Sequence, residues 1–160
     1  MARSTPQTQP SSNEPDEIIV APLCSIFRRF LKKRGLKFTS ERALILDAVL
    51  SKDGLFEAEQ LMYEMYDTGQ KVSKATIYRT IKHLVEAGII QEVRLDSKQA
   101  HYQLIYGRKP TDYLVNVDTD EVVEFHSPEL IQLRDKICRE HGLEPDGHQL
   151  IIYARKSDAT

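Results

Sequence analysis

Cysteine is scarce in this 160-residue chain: only Cys24 and Cys138 occur, far apart. Two such residues make neither a metal-binding pair nor a disulfide framework. That excludes a small domain stapled by disulfides and fits a reducing, intracellular compartment. Long apolar runs are also missing. The first apolar stretch, 18–27, is interrupted by Pro22, and its basic cluster follows it rather than precedes it. It is too short to span a bilayer and lacks the layout of a secretory leader, so a cytoplasmic protein without membrane association is expected. The chain has no glycine-rich phosphate loop, no nucleophile elbow and no HExxH pattern. An enzyme is therefore not expected.

Charge is present but unevenly placed. Residues 24–98 carry 14 Lys and Arg against 10 Asp and Glu, whereas residues 99–160 carry 7 against 11. A basic first half and an acidic second half suit a polyanion-binding module joined to a part that binds no polyanion. The stretch 73–88 concentrates the basic signal. Ser73 is a good helix N-cap and Gly88 a good stop. Ile77, Ile81, Leu84 and Val85 share one helical face, and Lys74, Thr76, Tyr78, Arg79, Lys82 and His83 occupy the other. No acidic residue interrupts that face before Glu86. Such a helix can dock on a core while entering a DNA major groove, although the same pattern serves an ordinary amphipathic surface helix.

The neighbouring segments give the helix a context. Residues 1–15 are polar, with three prolines, and read as a disordered tail. Residues 16–34 read as a helix kinked at Pro22, with Leu23, Ile26, Phe27, Phe30 and Leu31 in a stripe. Helices over 39–51 and 57–67 follow, with Leu44, Ile45, Ala48 and Val49 inward in one and Ala58, Leu61, Met62 and Met65 inward in the other. After Gly88 the period changes to two, turns over 96–99 and resumes over 101–106. That is a β-hairpin placed as the wing of a winged helix, with Arg94 and Lys98 in reach of phosphate. Residues 107–110 read as a linker. Beyond it come strands over 112–117 and 121–125, a helix capped by Ser127 with Pro128 at its first position, and a strand over 148–154. Leu130, Leu133, Ile137 and Cys138 would face inward. The fold class expected is α+β: a winged helix-turn-helix over 16–106 and a small α/β unit over 111–160. The latter is too small to make an independent core, and a second copy would complete it.

These residues resemble the ferric uptake regulator family of bacterial metal-responsive repressors. The resemblance covers about residues 24–154. It rests on Gly35 to Thr39 with Arg42, on Ala58 to Leu61, and above all on Ser73 with Ala75 to Thr80. Leu84, Glu86 to Ile89, Val122 to Phe125, His141, Gly142 and His148 add to it. The resemblance implies a winged helix joined to a dimerisation domain. It also implies base contacts by Tyr78 and Arg79 and a minor-groove contact by Lys37. Ser73, Lys74, Thr76, Lys82, Arg94 and Lys98 complete the expected DNA-binding set, and the partners expected are double-stranded DNA and a second copy of the chain.

The resemblance also shows what is missing. The family's His-His-Asp-His cluster is Pro110, Thr111, Asp112 and Tyr113 here. Its Cys-x-x-Cys is Asn116 to Thr119, and Lys156 stands where a further cysteine would be. Other ligand positions hold Leu55, Gln103 and Ile131. Asn and Thr cannot replace thiolates around zinc, so no structural zinc and no resident cofactor are expected. Asp112, Glu124 and His148 remain, with His101 and His126 nearby in type. They read as a weak ligand set or as two solvated strand-end acids and a hydrogen-bonded histidine, and apolar packing takes the place of coordination. The function expected is a homodimeric repressor on a palindromic AT-rich operator, without metal switching. The alternatives are a weakly metal-responsive regulator and a heterodimerisation partner that binds no DNA.

Overall fold

The structure is a computed structural model that describes residues 20–96 and 98–158. The expected tail over 1–15 and the first residues of the expected 16–34 helix lie outside that range. Helix α1 (Val20–Lys33) opens the described chain. Pro22 lies within its described part, two residues after Val20. Helix α2 (Ser40–Leu50) is capped by Thr39, whose hydroxyl accepts from the Arg42 amide. Helix α3 (Ala58–Asp67) and helix α4 (Lys74–Glu86) follow. Leu23, Phe27 and Leu31 of α1 meet Ile45, Leu46 and Val49 of α2, Leu61 and Met65 of α3, and Ile77, Ile81 and Leu84 of α4 in one buried core. Each such side chain contributes roughly 1.5–3 kcal/mol on leaving water. Leu46 is fully buried although the sequence pattern placed Leu44 and Ala48 inward instead; those two pack only at the core's margin. The segment 44–50 is apolar nearly all round, so period alone could not choose its face.

Gly88, with φ +73°, ends α4 and turns the chain into the hairpin. Strand β1 (Ile90–Val93) pairs antiparallel with β2 (His101–Leu104), Ile90 opposite Leu104 and Val93 opposite His101. A bridge between Phe56 and Tyr102 ties the hairpin to the segment before α3. This is a winged helix.

The second sheet has three strands. Strand β3 (Asp112–Asn116) runs antiparallel to β4 (Val122–Phe125) and parallel to β5 (Ile151–Ala154). Helix α5 (Pro128–Glu140) supplies the crossover, with Ser127 capping the Leu130 amide. Here the structure corrects the sequence reading. None of the residues of α5 is buried, and Leu133 and Ile137 are 51% and 48% exposed rather than inward. A three-stranded sheet is too narrow to cover them. Cys138, expected inward, is only half-buried, as is Cys24.

The two parts share a second apolar cluster. Val93 and Leu95 of the wing pack with Tyr113 and Val115 of β3, and Leu55, Val122 and Ile151 close around them. Arg108 reaches back to the Lys52 and Asp53 carbonyls from the segment between the sheets.

Candidate nucleic-acid interface

The outward face of α4 is set by its inward one. With Ile77, Ile81 and Leu84 buried, the residues between them must point away from the core. Tyr78 is 43% exposed, and Arg79 and Lys82 are exposed as well. Ser73 caps the helix, accepting from the Thr76 amide at 3.2 Å, and its hydroxyl lies 2.8 Å from that of Thr76. Lys74 stands 5.7 Å from the Tyr78 ring centre and 3.1 Å from Glu59 of α3. Glu59 thus brings an acid to a face that α4 alone leaves without one, and its hydrogen bond raises the Lys74 pKa. Thr80 is fully buried and donates to the Thr76 carbonyl at 2.7 Å.

His83 does not join the open face. Its ring packs near Phe30 of α1, and its Nδ1 lies 3.7 Å from Glu86. Glu86 in turn holds Arg34 at 2.6 Å. This side of α4 is sewn to α1.

Around α4 the other expected residues take up flanking places. Lys37 is exposed just before α2, and Arg42 donates a hydrogen bond to its carbonyl, pinning the connection from α1. Thr39, Glu41 and Arg42 of the α2 start face Thr76, Arg79 and Thr80 across a notch of about 160 Å³. The notch brings the Arg42 and Arg79 guanidiniums together with the Glu41 carboxylate. On the wing, Arg94 is exposed and pairs with Glu92 at 2.6 Å. The Asp96 carboxylate accepts from the amides of Lys98 and Gln99, which folds the turn and holds its pKa below the usual range. Sequence reasoning passed over the structural parts of Arg42 and Thr80. The signal was present: an arginine five residues after Lys37, and a threonine one turn after Thr76.

Of the residual metal candidates, Asp112 and His148 come together and Glu124 stands apart. Asp112 is no solvated strand-end acid, being 1% exposed. Its Oδ1 accepts from the Leu150 amide at 3.1 Å, and His148 Nε2 approaches the same oxygen at 3.1 Å. Glu124 lies elsewhere: it is exposed, opposite Tyr113 on β4, and its Oε1 reaches toward Gly54. His126 contacts the Pro110 carbonyl at 2.6 Å, and His101 contacts Glu57 at 3.1 Å. Among the described residues no three His, Cys, Asp or Glu side chains come together as a ligand group.

The positions where the resemblance expects ligands hold other chemistry. Leu55 packs on the apolar cluster of Tyr113. Burial pushes the Tyr113 hydroxyl up to about 12, and the Glu124 charge adds to the rise. Gln103 is buried opposite Gln91. At the other site, His148 Nδ1 faces the Arg134 guanidinium at 3.4 Å. A fixed cation against the imidazole and a leucine among the remaining positions do not fit a resident zinc or iron ion.

Comparison with known proteins places this architecture. Residues 33–153 match the model of the ferric uptake regulator family. The chain is 35% identical over 127 residues to the ferric uptake regulation protein of Pseudomonas putida, spanning 79% of this chain and 94% of that one. Among solved structures, the ferric uptake regulator of Pseudomonas aeruginosa with manganese superposes with a TM-score of 0.70 at 32% identity, covering 80% of this chain and 96% of that one. The ferric uptake regulator of Francisella tularensis with iron gives 0.60 at 29% identity, over 77% and 93%.

Proposed function

Because this chain belongs to the ferric uptake regulator family of transcription regulators, we propose that it is a homodimeric repressor that reads a palindromic, AT-rich operator through α4 without a zinc or metal switch. The observation that carries the reading is the open face of α4. Tyr78, Arg79 and Lys82 project from a helix whose opposite side is locked into the core. An arginine there can grip guanine O6 and N7, and a tyrosine ring can pack on a thymine methyl. Lys37 enters the flanking minor groove. Ser73, Lys74, Thr76, Lys82, Arg94 and Lys98 hold phosphates and set the register.

The DNA-binding part runs through residue 106, 107–110 links it, and 111–160 makes the dimer. The exposed Leu133 and Ile137, together with Ile152 and Tyr153, support that pairing. Dimer symmetry then places two half-sites a helical turn apart or a multiple of it. The protein is a binding protein and catalyses no reaction.

Arg79→Ala tests the assignment. Affinity for the selected operator falls by ~1–3 kcal/mol and the base preference at the contacted position relaxes. Unchanged affinity and unchanged preference would remove α4 from the interface. A metal-free protein must also keep its operator affinity in chelator. A second reading, a weakly metal-responsive regulator using Asp112, Glu124 and His148, is favoured by the manganese and iron in the two solved relatives. Stoichiometric metal in the purified protein, lost together with DNA binding on chelation, would establish that reading instead.

A further inference from the structure

Asp112 is a buried carboxylate that meets the Leu150 amide and the His148 ring. His148 is mostly buried in turn. Its two ring nitrogens face unlike groups: Nε2 faces the Asp112 carboxylate, and Nδ1 faces Arg134 Nη1 at 3.4 Å. A guanidinium has five donors and no acceptor. An Nδ1 that faces this donor accepts through its lone pair, and in the neutral imidazole that arrangement leaves the ring proton on Nε2, toward Asp112. Arg134 is itself held by the neighbouring carboxylate of Asp135, through Nε at 2.9 Å and Nη2 at 2.8 Å. That leaves Nη1 aimed at the histidine. The outcome is a continuous polar chain from α5 to the segment ahead of β5 and on to the start of β3.

We propose that Arg134 is a built-in cation that takes the place of an exchangeable metal ion at the Asp112–His148 pair. The guanidinium acts in two ways. By facing Nδ1 it keeps the ring proton on Nε2, the nitrogen that an ion shared with Asp112 would need, and it sets a positive charge on the far side of the ring. At such separations like charges repel strongly even at the moderate dielectric of a protein surface. It also does a resident ion's mechanical job, joining helix to sheet. Arg134 is thus a positioning residue. The inference deepens the metal-free reading and names the group that enforces it. It stands apart from DNA contact, because its readout is the histidine ring.

The test uses the full-length protein and the ring nitrogens of His148 by long-range ¹H–¹⁵N NMR. The wild-type ring shows the neutral Nε2–H tautomer, and stoichiometric Mn²⁺ leaves its signals sharp. In Arg134→Met the tautomer preference is lost. Mn²⁺ then broadens the His148 signals, and Zn²⁺ binds about tenfold tighter or more than to wild type. Arg134→Lys keeps the charge and retains the metal exclusion, which separates charge from packing and serves if the Met variant does not fold. Broadening of His148 by Mn²⁺ in the wild type as strong as in Arg134→Met would overturn the proposal, and so would an Nδ1–H tautomer in the wild type. Operator affinity measured on the same samples tests the DNA-binding reading separately.

Discussion

Helices α4 and α5 have the same length, 13 residues, and each is capped by a serine whose hydroxyl accepts from a first-turn amide. Each also carries an apolar stripe. In α4 the stripe is buried against α1, α2 and α3, whereas in α5 none of the residues is buried. The two helices are locally alike and differ in what covers them. Three neighbouring helices close over α4 from within the chain, and a three-stranded sheet cannot do the same for α5. A stripe therefore announces that something must pack there, and the chain's own inventory decides whether that something is itself.

Substitution in the two stripes breaks the comparison most sharply. Leu84→Ala in α4 leaves a cavity in a closed core and costs ~2–5 kcal/mol in denaturant unfolding. Leu133→Ala in α5, at a protein concentration where the chain is monomeric, costs less than ~1 kcal/mol, since the side chain is already half in water. Equal losses at the two positions would erase the distinction. Next in size is Ile137→Asp. Placing a charge in the proposed pairing face weakens self-association by ~2 kcal/mol or more. Light scattering then shows the mass falling to that of one chain, while circular dichroism keeps the helical signal. A dimer that persists unchanged would put the pairing surface elsewhere.

The caps give a smaller and more even effect. Ser73→Ala and Ser127→Ala each remove one hydroxyl acceptor from a helix start, and each costs about 1 kcal/mol in thermal or chemical unfolding. A large inequality between them would mean that tertiary packing carries one of the helix starts. Smallest is a pH effect in the wing. The Asp96 pKa lies below its ordinary 3.8 because the Lys98 and Gln99 amides donate to its charged form. A depressed folded-state pKa gives stability that is present above the unfolded value and lost as pH falls through the folded one. Protection factors of the Lys98 and Gln99 amides accordingly fall below about pH 4, while those of Ile81 and Leu84 stay unchanged.

The legible parts of the molecule are those with local causes. Ser73, the four apolar positions of α4 and Gly88 announced that helix and its open face, and Ser127 with Pro128 announced the start of α5. The hairpin followed from the change of period after Gly88, although its second strand stops at Leu104 rather than running on to Tyr106. The parts that were not legible have distant causes. The burial of Asp112 depends on an amide and an imidazole more than thirty residues away. The contact of Arg134 with His148 crosses an irregular loop that no periodicity describes. Glu59 reaches the face of α4 from another helix. Leu133 and Ile137 were assigned inward because period shows which side of a helix is apolar and is silent on whether a covering surface exists.

The packing between the two parts bears on how such a regulator is governed. Val93 and Leu95 of the wing lie in the same buried cluster as Tyr113 and Val115 of β3. A hinge needs two surfaces that can part, and these surfaces share their interior side chains. Under the proposed reading, the separation of the two recognition helices becomes a constant of the fold. Occupancy of the operator then follows the number of protein copies by mass action, and the controlling variable moves from an effector's concentration to the rates at which the chain is made and destroyed.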